Sequence, residues 1–118
     1  MGKTSLLAGD IGKRVEAKAS LDTLLLRLRD MPLVQWRMPL TKRLGEGECK
    51  GLVELRYEVG NVEYRALGHF AENWHFVLLM IAREINNAWV PKDACTTAKN
   101  RKRDMEGRRD RVRPYVFG

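Results

Sequence analysis

Apolar and polar residues alternate with period two on both sides of Gly60-Asn61. Val53, Leu55, Tyr57 and Val59 share one face of the first flank; Val62, Tyr64, Ala66 and Phe70 share that of the second. Gly-Asn suits a two-residue turn with positive φ, so Gly51 to Phe70 reads as one β-hairpin. Such a turn pairs residue 59 with 62, which sets Tyr57 opposite Tyr64 and Leu55 opposite Ala66. Ala71-Glu72-Asn73 reads as a short turn into Trp74 to Glu84, whose near-continuous apolar run marks a strand covered on both faces.

Helical periodicity flanks this sheet. Asp10 is a candidate N-cap, followed by Ile11, Val15, Ala19, Leu21, Leu24, Leu25 and Leu28. Pro32 disfavours helical angles before it, so that helix should end by Asp30. Pro32, Pro39, Gly45 and Gly47 break residues 31–50 into a connection laid along the sheet, anchored by Trp36, Met38, Leu40 and Leu44, with Lys42 and Arg43 in solution. Asn86-Asn87 opens a loop. Pro91 is placed to lead a second helix, whose stripe is Ala94, Cys95, Ala98, Lys102 and Met105 and whose stop is Gly107. The order helix, three antiparallel strands, helix predicts one α+β domain over residues 1–118, with a basic tail from about residue 107 to 118.

The polar face of the hairpin carries the candidate chemistry. Its register sets Arg56 directly opposite Arg65, and like charges so opposed are mildly destabilising. Two compensations fit. Glu54, Glu58 and Glu63 could weave a charge lattice with the arginines, or two converging guanidinium forks could hold a phosphate. A three-residue turn after Phe70 would bring Arg83 to the face of Arg65; two or four residues would reverse it. The same turn would set His69 opposite His75, where the pair could do acid–base work or sit as half-buried sheet residues.

Charge narrows the partners. The chain of 118 residues carries a net +7, with 44% hydrophobic and 31% charged residues and a pI near 9.8. Between Lys99 and Arg113, eight Lys/Arg stand against Asp104, Glu106 and Asp110, which accounts for +5 of the +7. Lys99, Arg101, Lys102, Arg103, Arg108 and Arg109 are therefore the candidate RNA contacts. Cys49 and Cys95 match no metal spacing and read as two free thiols in a reducing cytoplasm. No apolar run is long enough for a membrane span or a secretory core. Neither a glycine-rich phosphate loop, a Gly-x-Ser-x-Gly elbow nor paired metal carboxylates occur, so no cofactor and no metal are called for.

Gly51 to Arg56 (Gly-Leu-x-Glu-Leu-Arg), Tyr64-Arg65, the apolar third strand, and a helix of the form P-x-x-A-x-x-x-A-x-x-R (Pro91, Ala94, Ala98, Arg101) follow one another. With Met38 to Leu44 upstream, this series over roughly residues 20 to 106 resembles the RelE/ParE superfamily of type II toxin–antitoxin toxins, and within it the phage-derived, HigB-like branch. The resemblance implies a small twisted antiparallel sheet with an N-terminal helix packed on it. It implies ribosome-dependent mRNA cleavage by attack of a 2′-hydroxyl on the adjacent phosphate, with Arg56, Arg65 and Arg83 as the catalytic cations. The implied partners are a cognate antitoxin (a small helix-turn-helix protein), the ribosome and mRNA, in the cytoplasm. A non-catalytic nucleic-acid binder and a ParE-like gyrase inhibitor are the alternatives. The chain departs from the RelE branch at Leu52 and Glu54, where that branch has lysines, and near Ala94 and Cys95, where it has a tyrosine. Only Thr4 to Ala8 could supply the family's opening strand.

Overall fold

The computed structural model describes residues 3–4, 15–71, 75–107 and 113–117. In chain order the elements are β1 (Lys3–Thr4), α1 (Val15–Arg29), β2 (Thr41–Arg43), β3 (Val53–Val59), β4 (Val62–Phe70), β5 (Phe76–Ile85), β6 (Ala88–Val90), α2 (Ala94–Gly107) and β7 (Arg113–Pro114). Strands β2 to β6 form a curled antiparallel sheet in sequence order, and β1 pairs separately with β7. The architecture is α+β, with one helix on each face of the sheet. No described helix is long and apolar enough to cross a membrane.

The helix α1 forms because Ala17, Leu21, Leu24, Leu25 and Leu28 recur along one face, and all five are buried. Pro32 follows its end, and the Trp36 indole N–H donates to the carbonyls of Leu28 (3.1 Å) and Met31 (3.3 Å), satisfying acceptors that a helix terminus leaves open. Against this helix pack Val53, Leu55, Ala66, Phe76 and Leu78 from the sheet. On the opposite face Leu52, Leu67, Val77, Leu79, Met80 and Ala82 meet Ala94, Ala98 and Met105 of α2. The interior strand β5, between β4 and the edge strand β6, is thus covered on both sides, as its composition predicts.

The hairpin register is the expected one: Val59 pairs with Val62, Tyr57 with Tyr64, Arg56 with Arg65 and Leu55 with Ala66. Gly60 (φ 56°) and Asn61 (φ 64°) take the positive angles this turn requires. Asn86 (φ 53°) and Asn87 (φ 62°) repeat the device, so the expected loop is a second two-residue turn into the edge strand β6. The other edge, β2, lies in the segment expected to be a plain connection. Lys42 and Arg43 there are exposed, and a charged edge of this kind resists pairing with other chains. Pro91 does not lead the second helix: Ala94 N–H donates to Pro91 in a turn, and the Asp93 carbonyl accepts the first helical bond from Thr97.

One further expectation is corrected, and the basic tail proves to reach the core. Cys49 and Cys95 are not free thiols but are joined in a disulfide, because the 3-10 turn Gly47–Cys49 lies against the start of α2 with the two Cα atoms 5.0 Å apart. The end of the basic tail is not a solvated appendage. Tyr115 is buried in the α1 core, its hydroxyl donates to Asp22, and Lys18 donates to the Val116 carbonyl (2.8 Å). Residues 5–14, 72–74 and 108–112 lie outside the described residues, and with them the Asp10 cap, Trp74 and most of the turn after Phe70.

Gly68 sits at a β-bulge, where the pairing of β4 with β5 shifts between Leu67 and Gly68. A Cβ there would lie 2.4 Å from both the Phe76 ring and the Val77 carbonyl oxygen. Gly68→Ala is therefore expected to cost at least about 1–3 kcal/mol through overpacking, read as a lower midpoint in thermal unfolding.

Candidate functional site

Arg56 and Arg65 stand side by side on β3 and β4, yet their environments differ sharply. The Arg65 side chain is 1% exposed and meets three carboxylates: Glu63 at 3.0 Å, Glu84 at 3.2 Å and Glu54 at 3.9 Å. It also donates to the Tyr64 carbonyl at 2.9 Å. Arg56 retains 25% exposure, lies 3.6 Å from Glu54, and donates to the Met38 sulfur at 2.8 Å. The lattice alternative is therefore what forms around Arg65, with Glu84 of β5 as a member that hairpin register alone could not supply. No fork–fork phosphate site is left between the two arginines, because both terminal nitrogens of Arg65 are engaged.

Glu54 is the pivot of this cluster. Its side chain lies between the two guanidinium groups, and burial pushes its carboxyl above the ordinary range. Arg56, Arg65 and Lys42 oppose that shift, and Glu84 adds to it. A carboxyl raised by burial, beside one accessible arginine, is suited to take up a proton.

Arg83 does not join the face. It pairs opposite Tyr64, on the α1 side of the sheet with the stacked Tyr57–Tyr64 pair (5.3 Å between ring centroids). The connection after Phe70 spans five residues, closed by Ala71 N–H to the His75 carbonyl (2.8 Å), and this has the same parity as three. The bulge at Leu67/Gly68 then reverses the register, sending Arg83 to the opposite face. The histidines do not face each other either: His69 pairs with Val77, and His75 is exposed beyond the strand.

His69 is buried, and among the described residues its Nε2 has no hydrogen-bond partner. Burial first, then the nearby Lys102 ammonium, holds its imidazole below the ordinary value near 6.5, with Glu106 and a backbone hydrogen bond at Phe70 opposing. A depressed histidine contributes stability that is fully present above its unfolded pKa and lost as pH falls. The thermal midpoint is expected to drop progressively below pH of about 6.5. His69→Gln should flatten that slope. Comparing the two proteins cancels the opposite contribution of Glu54, whose raised carboxyl favours folding most at acid pH.

The basic helix is only partly a free cationic surface. Arg101 donates to the Leu79 carbonyl at 2.9 Å and ties α2 to β5; burial also lowers its pKa. Lys99 and Lys102 are half-buried, and Arg103 is exposed with a bond to Asn100 (3.1 Å). Arg108 and Arg109 lie outside the described residues. Among the described residues no cluster of three or more His, Cys, Asp or Glu side chains could hold a metal ion. Sequence reasoning missed Met38 and Glu84 as partners of the arginines, and Arg43, whose guanidinium lies 5.9 Å from the Phe70 ring centroid. The pairing of Lys42 with Glu54 is the one signal that could have found β2.

Comparison with protein-family models, with curated proteins and with solved structures returned no match to this chain.

Proposed function

We propose that this chain is a toxin of the RelE/ParE type that blocks translation by cleaving mRNA in the ribosome. The motif series from Gly51 to Arg101 supports this reading. The observation that carries it is the placement of Arg56 and Glu54 on one sheet face, the arginine accessible and the carboxyl buried between two guanidinium groups. In-line attack by a 2′-hydroxyl breaks the bond from phosphorus to the 5′-oxygen; it needs a proton acceptor for the hydroxyl, a cation at the phosphate, and a proton for the leaving oxygen, which solvent water supplies. Glu54 fills the first role and Arg56 the second. Arg65 is the positioning residue that holds Glu54, and Arg83 stands outside the site. Lys99, Lys102 and Arg103 supply sequence-independent contact to RNA. The partners are the ribosome, mRNA and a cognate antitoxin, and the working compartment is the cytoplasm. The glutathione pool there opposes the Cys49–Cys95 bond, so the fold has to hold with both thiols reduced.

A second reading, a non-catalytic nucleic-acid binder, is favoured by the three carboxylates around Arg65 and by Leu52 and Glu54 at the family's lysine positions. Induction without an antitoxin separates the two. Cleavage predicts falling methionine incorporation together with new 5′ ends inside translated messages. Normal incorporation alongside soluble protein contradicts the toxin reading. Arrest without new ends favours the binder, and arrest of DNA replication favours a ParE-like inhibitor.

A further inference from the structure

At the end of the sheet opposite the Gly60-Asn61 turn, an open groove of about 160 Å³ lies between the C-terminal end of α1 and the 3-10 turn Leu33–Gln35. Leu28, Met31, Leu33, Trp36, Phe70 and Phe76 line it, together with Arg29. The aromatic side of the groove is fixed: Trp36 lies 5.2 Å from Phe70 and 5.7 Å from Phe76, ring to ring. A cavity of this order takes one benzene-sized group, so the groove fits a single leucine or phenylalanine side chain. The turn beside it buries none of its own residues, and Val34 is 80% exposed. Leu33 lines the groove half-buried, and Val34 beside it is open to solvent.

The surroundings select the sign of the partner. Residues 26–43 carry Arg27, Arg29, Arg37 and Arg43 against the single acid Asp30, which already lies 3.7 Å from Arg29, while Lys42 faces Glu54 on the other side of the sheet. Arg43 stands over the face of Phe70, so positive charge borders the apolar floor directly. The indole N–H of Trp36 is committed to two carbonyls of the chain, so within the groove it has no donor left to read a base edge. A nucleic-acid backbone would use the cations and leave the apolar slot empty. An apolar side chain flanked by carboxylates uses both.

We infer that this groove docks an acidic amphipathic segment of a partner protein, with one apolar side chain in the slot and its carboxylates on the arginine rim. The site is distinct from the Arg56 face and holds whether or not the chain cleaves RNA. Panning a phage library of random dodecapeptides on the full chain tests it. Enriched peptides should carry an apolar residue flanked by Asp or Glu. Their synthetic versions should bind at least tenfold more weakly to Leu33→Asp/Val34→Asp and to Arg29→Glu/Arg43→Glu, and more weakly at high salt. The second variant changes only surface charge, so it decides the matter if the first loses its fold. The inference is overturned if no peptide is enriched, if enriched peptides lack acids, or if they bind the charge-reversed protein unchanged. It is equally overturned, in favour of nucleic acid, if a dodecamer of oligouridine binds and loses affinity in Leu33→Asp/Val34→Asp.

Discussion

Arg65→Ala is expected to destabilise the protein by about 3–5 kcal/mol, the range for removing one partner of a buried ion pair. The guanidinium is 1% exposed and its loss leaves Glu54, itself 7% exposed at the side chain, without its buried counter-charge. Arg56→Ala, at an arginine that is 25% exposed, should cost less than about 1 kcal/mol. The two arginines face each other across the same pair of strands, so strand propensity and register are common to both, and burial makes the difference. Adding Glu54→Gln to Arg65→Ala should recover part of the loss, because the amide needs no counter-charge. The two changes share one network and are not expected to be additive. Chemical denaturation of five proteins, the wild-type chain, Arg65→Ala, Arg56→Ala, Glu54→Gln and Glu54→Gln/Arg65→Ala, measures all of this.

Tyr115→Ala should be as damaging, at about 3–5 kcal/mol, which for a domain of this size lowers the thermal midpoint by roughly 10–20 °C. Tyr115 is 8% exposed in the same cluster as Leu21, Leu25 and Leu28. Lys18 lies 4.7 Å from its ring centroid, and Phe117 packs edge-on at 5.0 Å. Tyr115→Phe keeps the packing and removes only the bond to Asp22, a hydrogen bond to a charged group worth about 1.5–3 kcal/mol. Burial and the neighbouring carboxylate push the phenol well above its ordinary value, so the hydroxyl keeps the proton it donates at alkaline pH. A tail that served RNA alone would be removable without thermal cost, whereas here removal of residues 113–118 should match Tyr115→Ala.

What was legible in the sequence follows from how each feature is encoded. The hairpin register could be read because Gly60-Asn61 specifies a turn of known length and the flanks alternate over several residues on each side. Helix α1 could be read because its leucines repeat at helical spacing. The face of Arg83 could not, since it depends on the register shift between Leu67 and Gly68, where β5 carries one extra residue, Leu79. The edge strands β2 and β6 are three residues long, too short for a periodic signal, although Asn86-Asn87 marks the turn between β5 and β6. The disulfide needs the 3-10 turn and α2 to meet across a separation of 46 residues, which spacing alone does not encode. For the site, the sequence put Arg56, Arg65 and three glutamates on one face. Which arginine the carboxylates would claim depended on Glu84 arriving from β5, and that depended on the bulge.

In the proposed reaction Arg56 meets the phosphate while Arg65 only holds Glu54 in place. Mapping new 5′ ends in translated messages after induction of Arg56→Ala, alongside the wild-type chain at equal soluble level and equal melting temperature, tests it most directly. The account predicts that the ends seen with the wild-type chain disappear in Arg56→Ala while the fold is unchanged. Cleavage at the wild-type positions and level in Arg56→Ala would contradict it.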